Sequence, residues 1–248
     1  MKVAIHQPNF LPWMGLFHRL FLVDVFIFLD HVQAMRGRSW LSRNRLMVGG
    51  KEAWVSMPVR KSGRSGQSVS EVEINYNIDF VSKHLKTIKL NYGKAPFFEE
   101  LFPELSVIFE YRYQFIADFN MAFIQWVCLQ LEFPVGFMTS SSLVDQNVAL
   151  KGLAGNDLVL ELCKAAGAKE YVSGTGCLDF IHPASFEKAD IAFYFQKFIH
   201  PTFQQIGATD FISHLSILDA LFNVGPEKTR NMVCQLAKER AIKTKDKM

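Results

Sequence analysis

Two short apolar runs with an amphipathic segment between them set the first constraint on this chain. Val3-Ala4-Ile5 is followed by Pro8 and Pro12, then by a stretch from Trp13 to Leu22 with apolar residues at 13, 16, 17, 20 and 21. Steps of three and four are those of one helical face. After Asp24 comes Val25-Phe26-Ile27-Phe28-Leu29, an unbroken β-branched and aromatic run, the pattern of a strand covered on both faces. Strand, helix and strand in this order predict a crossover unit, which is right-handed and makes its two strands parallel. Their carboxyl ends then leave one rim: His6, Gln7 and Asn9 follow the first strand, Asp30, His31 and Gln33 the second. Open α/β sheets bind ligands at that rim.

The remaining chain repeats the alternation. Residues 54–59 read as a strand, 61–70 as a polar Gly- and Ser-rich loop, and 72–74 as a further short strand. A helix is predicted over 79–90, with Asp79 as cap and Asn91-Tyr92-Gly93 as stop, and helical periodicity continues from 98 to 131. Strands are predicted at 135–138, 170–173 and 191–196, and helices at 157–166, 213–222 and 226–242, the last two parted by Gly225-Pro226. The sum is an α/β fold: a Rossmann-like, mostly parallel sheet with helices on both faces. One domain spans 1–248, with a largely helical subdomain at approximately 79–131.

Composition agrees. With 49% hydrophobic and 21% charged residues the chain is globular, and its 248 residues stay within the size of one core. Aromatic content is weighted to Phe, 23 against 4 Trp and 6 Tyr, which supplies apolar area without hydrogen-bonding tips. Most of these track the predicted strand and the helical block. Phe10, Trp13, Trp40, Phe180 and Phe203 lie inside or beside polar motifs, where they are candidates to stack on a base or sugar ring. Four cysteines stand far apart with no C-x-x-C spacing, against zinc and disulfide frameworks and for a reducing compartment. The first residues lack the pattern of a secretory signal, and the apolar run at 21–29 is interrupted by Asp24. No integral membrane contact is expected, and the expected location is the cytoplasm.

Five stretches carry candidate chemistry. His6-Gln7-Pro8-Asn9-Phe10-Leu11-Pro12-Trp13 holds more polar side chains than a helix cap needs, on a loop stiffened by two prolines. Arg36, Arg38, Arg43 and Arg45, with Asn44, crowd ten residues; guanidinium forks match phosphate or carboxylate oxygens, and a solvated basic loop has the same pattern. Tyr171-Val172-Ser173-Gly174-Thr175-Gly176 runs a strand into a Gly-flanked turn whose amides make either an ordinary turn or an anion-holding nest. Residues 196–205 bring His200, a candidate general base, and Ser216 with Asp219 share a helical face, where such residues commonly serve as caps. G-x-S-x-G, H-E-x-x-H and a closely paired Cys and His are absent, so hydrolase and zincin chemistry lose support; no metal site and no cofactor are expected.

Taken in order, these residues resemble the WbqC-like family of bacterial proteins from O-antigen and other surface-polysaccharide gene clusters. The resemblance rests on Ile5-His6-Gln7-Pro8-Asn9-Phe10-Leu11-Pro12-Trp13 with Gly15, on Leu29-Asp30, Val32-Gln33 and Arg43-Asn44-Arg45. It continues through Asn91-Tyr92, Ala95-Pro96, Ser173-Gly174, His200-Pro201, Gln204 and Leu215-Ser216-Ile217-Leu218-Asp219 with Phe222-Asn223. Ala34 replaces an expected aromatic, and Phe180 and Phe203 expected tyrosines. The resemblance implies a transferase that N-acylates a nucleotide-linked amino sugar, the donor being acyl carrier protein, CoA or aminoacyl-tRNA. On that reading His6 or His200 takes the proton from the acceptor amine. Arg36, Arg43 and Arg45 hold phosphates, Gln7, Asn9 and Asn44 orient the acceptor, and the Ser173-Gly174 amides meet an oxyanion. Trp13, Asp30, Gln33, Gln204 and Asp219 complete the candidate binding set. The alternatives are a non-catalytic binding or assembly protein and a nucleotidylyltransferase-like enzyme.

Overall fold

Strand β1 (Lys2–His6), helix α1 (Met14–Phe21) and strand β2 (Val25–Phe28) form the expected crossover in the computed structural model. β1 and β2 pair in parallel, Val3 opposite Val25 through His6 opposite Phe28. The structure describes residues 1–238, except 36, 38 and 61, together with 242–243. β3 (Arg43–Val48) and β4 (Lys51–Ser56) follow as a separate antiparallel hairpin. Next come α2 (Val81–Tyr92), α3 (Phe98–Glu110), α4 (Ile116–Gln130), β5 (Gly136–Thr139), α5 (Ser140–Gln146) and α6 (Gly155–Ala165). The chain closes with β6 (Glu170–Ser173), α7 (Pro183–Lys188), β7 (Ala192–Phe195), α8 (Ile217–Lys238) and β8 (Ile242–Lys243). The main sheet runs β5-β2-β1-β6-β7-β8; its first five strands are parallel and only β8 runs antiparallel to its neighbour.

Two apolar clusters, one on each face, explain why the strand sequences are apolar without a break. Ala4, Phe26, Phe28 and Val172 pack with Phe17 and Leu20 of α1 and with residues of α2, α3, α4 and α8. Val3, Ile5, Ile27, Tyr171 and Phe193 point the other way, against Leu158 and Leu162 of α6 and Phe186 of α7. Successive residues of a strand face opposite sides, so burial on both faces leaves no polar position.

The structure corrects several expected boundaries. The helical block from 98 to 131 is two helices, because residues 114–116 pair their backbone with the segment beside Val72: Ile74 N–H donates to Gln114 O at 3.0 Å and Ile116 N–H to Val72 O at 2.9 Å. Those bonds replace helical ones and override the apolar period. Residues 72–74 correspondingly make isolated bridges rather than a strand. The arginine-rich stretch, read as a loop, is strand from Arg43 onward. α8 contains the predicted break, Gly225 standing at φ 80° and ψ 168° inside it, while residue 242, read as helical, lies in β8.

Candidate functional site

The carboxyl ends of the five parallel strands open on one rim. Asp30, just past β2, caps α5: Oδ1 accepts from Ser140 Oγ at 2.9 Å and Ser141 N–H at 2.8 Å, and Oδ2 accepts from Ser141 Oγ at 2.7 Å. The single Ser140 hydroxyl proton is thereby committed, so the 2.6 Å contact with His31 Nδ1 is donated by the imidazole. Burial lowers the proton affinity of His31, and Asp30 opposes that shift. Gln33 sits in a bridge to Ser68, where the Gly- and Ser-rich loop lies beside the segment after β2.

His6 ends β1. Its Nδ1 is 2.8 Å from the Gln7 carbonyl, which can only accept, so the proton stays on Nδ1 and Nε2 carries the free lone pair. Burial, and after it the charge on Arg19, lower the pKa from 6.5 to about 4, against the Gln7 hydrogen bond. His6 is therefore a neutral imidazole at neutral pH. The half-buried amides of Gln7 and Asn9 make no side-chain hydrogen bond among the described residues.

Arg19 is the residue the sequence reading passed over. It projects from α1, only 9% exposed, and its Nε–H donates to Gln196 Oε1 at 3.0 Å. Gln196, immediately after β7, is held in turn by its Nε2–H, which donates to Gly15 O at 2.7 Å. A Cβ on Gly174 would fall 2.3 Å from Arg19 Nη2, so the guanidinium lies against the bare glycine backbone where β6 ends. Among the described residues no carboxylate comes within ion-pair distance of it. A signal was present: α1 is buried from Met14 through Leu20, His18 and Arg19 included, and apolar residues flank that pair on both sides in sequence. Neither Gly174 nor Gly176 has positive φ, so the turn after β6 is no left-handed nest. Ser173 Oγ donates to the Gly174 carbonyl at 3.1 Å.

The other candidates fall in three further places. Asn44 is buried in the hairpin, where Nδ2 donates to Phe10 O at 3.1 Å and Leu11 O at 2.8 Å, and Oδ1 accepts from Arg45 N–H at 2.8 Å. It braces the polar loop at Leu11, whose φ is 41°. Arg43 and Arg45 project on the opposite side of β3: Arg43 lies over the Trp54 ring at 4.0 Å, and Arg45 pairs with Glu52 at 2.7 Å. The two thus share one face of the Trp54 region, Arg45 at 5.7 Å from the same ring; Arg36 lies outside the described residues.

His200 sits in an aromatic group with Trp13, Phe198, Phe203, Phe211 and His214. Its Nδ1 is 2.8 Å from Pro201 O, and burial lowers its proton affinity. No hydrogen bond or ring contact joins it to His6 among the described residues. Gln204 is exposed; its neighbour Gln205 is the buried one, donating to Asp219 Oδ2 at 2.6 Å. Burial raises the Asp219 pKa from 3.8 to about 6. The strand ends thus bring His6 and Gly174 to the unforeseen Arg19, with Asp30 held by α5 at the end of β2, while Asn44 and Asp219 brace the loops beside it.

No group of three His, Cys, Asp or Glu residues among the described ones is placed to hold a metal ion. No described helix is long and apolar enough to cross a membrane. The model of the WbqC-like protein family matches residues 7–231. A curated relative, "Uncharacterized protein Rv1507c" of Mycobacterium tuberculosis (strain ATCC 25618 / H37Rv), is 30% identical over 228 residues, 91% of this chain and 95% of the relative. No solved structure matches the chain.

Proposed function

Since this chain belongs to the WbqC-like protein family, we propose that it is a cytoplasmic transferase of surface-polysaccharide synthesis that N-acylates a nucleotide-linked amino sugar. The donor is an acyl or aminoacyl thioester or ester, on acyl carrier protein, CoA or tRNA. The observation that carries this reading is His6: a neutral imidazole with its tautomer fixed and its Nε2 lone pair free, at the end of the central strand β1.

Amide formation needs such a group. The acceptor nitrogen attacks the donor carbonyl only through its lone pair, so a proton must leave it. In the step proposed, the C–N bond forms as Nε2 takes an N–H proton, and the donor's C–S or C–O bond then breaks as that proton passes to the departing thiolate or alkoxide. Neutral His6 is available at physiological pH. Gln7 and Asn9, whose amides make no side-chain hydrogen bond among the described residues, lie on the adjoining loop and on this reading orient the acceptor.

The test is mass spectrometry of reactions pairing nucleotide-linked amino sugars with acyl-CoA, acyl carrier protein and aminoacyl-tRNA donors. An acylated sugar is expected, with turnover reduced about 10²- to 10⁴-fold in His6→Gln while circular dichroism is preserved. Absence of product with every pair, or wild-type turnover in the variant, refutes the reading. One observation favours a binding or assembly role instead: Trp40 and Trp54 are 47% and 46% exposed, with ring centroids 5.4 Å apart, and Arg43 lies over Trp54. Salt-sensitive ligand binding without product, lost in Trp54→Ala, is the signature of that role.

A further inference from the structure

Arg19 poses an electrostatic question that the fold does not answer. The residue is only 9% exposed, its guanidinium cannot shed its proton at any physiological pH, and a buried charge is costly unless it is paired. Among the described residues only its Nε–H has a hydrogen-bond partner, the neutral amide of Gln196. The titratable groups that act on its charge, Tyr171 and Cys177, supply no carboxylate, and burial keeps the Tyr171 phenol protonated. The outer nitrogens face the turn after β6, where residue 174 is a glycine and any side chain would collide with them.

We propose that Arg19 is an anion-binding residue, whose outer guanidinium nitrogens hold a phosphate or carboxylate oxyanion at the carboxyl ends of β6 and β7. Two parallel N–H donors in one plane match two oxygens of such a group. Gln196 fixes the plane by engaging Nε, and Gly174, lacking a Cβ, leaves the space that the guanidinium occupies at the end of β6. The site differs from the arginines of the hairpin, which are engaged with Trp54 and Glu52.

The proposal also connects to the proton acceptor. Arg19 is one of the two causes that depress the His6 pKa, so neutralising it with a bound oxyanion returns proton affinity to His6. On the transferase reading, which this coupling rests on, an acceptor's phosphate or a donor's carboxylate strengthens the base as it binds. The anion site itself does not depend on that reading.

The test uses the full chain and four probes, inorganic pyrophosphate, UDP, acetate and glycine, measured by thermal unfolding and calorimetry on wild type, Arg19→Met and Gly174→Ala. A saturable rise in wild-type Tm is expected with at least one probe; pyrophosphate or UDP acting alone identifies a phosphoryl ligand, acetate or glycine a carboxylate. Affinity should fall roughly ten- to hundredfold in Arg19→Met, whose Tm without anion should equal or exceed that of wild type because an unpaired charge has gone. If that variant fails to fold, Gly174→Ala decides, since it keeps the arginine but displaces it, and the same loss of affinity is expected. No stabilisation of wild type by any probe, or undiminished binding in the folded variants, overturns the proposal. A protein that binds these anions but makes no acylated sugar would keep this site and lose the transferase.

Discussion

Replacing Asn44 by alanine separates a residue that holds the loop from one that holds a substrate. In the folded protein its amide satisfies three backbone groups, the carbonyls of Phe10 and Leu11 and the N–H of Arg45, and it is 1% exposed. Each buried group left unpaired costs about 1–3 kcal/mol. With some relaxation around the smaller side chain, the sum for Asn44→Ala is about 3–5 kcal/mol. At about 2–4 °C per kcal/mol for a chain of this size, Tm should fall by roughly 6–20 °C, read by circular dichroism and matched by a lower urea midpoint. Asn44→Asp keeps the acceptor for Arg45 N–H but sets a carboxylate against two carbonyl oxygens. It should be less stable than the alanine variant at pH 7.5 and recover part of the difference at pH 4. A Tm within about 2 °C of wild type for Asn44→Ala, with the effect confined to substrate affinity, would refute the bracing role.

Two other perturbations follow from the same loops. The Asp219 carboxyl keeps its proton up to about pH 6 when folded but loses it near 3.8 in the free state, so its contribution to stability declines as pH rises through that window. Asp219→Asn removes the decline, and the gap in urea midpoint between variant and wild type should shift in the variant's favour from pH 4 to pH 7.5; a pH-independent gap refutes the assignment. In Gly15→Ala the new methyl would stand 2.3 Å from a Trp13 ring carbon and must displace the indole from Phe198 and His214, costing about 1–3 kcal/mol. Adding Trp13→Leu should restore part of the lost Tm, and additive losses would show that the indole is not the obstacle.

The sheet was legible because burial on both faces writes itself into consecutive apolar residues, as at Val25–Phe28, and because Gly225-Pro226 announces a helix break whatever packs around it. The break between α3 and α4 was not, since its cause is a backbone pairing with residues near Val72, distant in sequence. Among site residues, those that follow the strands on short loops, His6 and Asp30, could be placed from topology alone. Arg43 and Arg45 could not: alternation on a strand points them away from Asn44, and a strand had not been assigned there. Arg19 was hidden differently. Apolar periodicity treats a charged residue in a helix as the solvent face, and it fails when other elements enclose the helix on every side.

The placement of β1 carries a consequence for how the chain is made. Its two neighbours in the sheet are β2, which follows within about 25 residues, and β6, whose Tyr171 pairs with Val3. During synthesis at about 5–20 residues per second, the first crossover is complete long before its second partner exists. One edge of the central strand is then unpaired for roughly seven to thirty seconds, with Val3, Ala4 and Ile5 at hand for any other extended segment. Such a chain depends on α1 and the following loops to screen that edge while it waits, and lowering the temperature or slowing translation lengthens the exposure. The yield of soluble protein should accordingly respond more to substitutions in β1 than to equally destabilising ones in α7, which forms only after β6 has arrived.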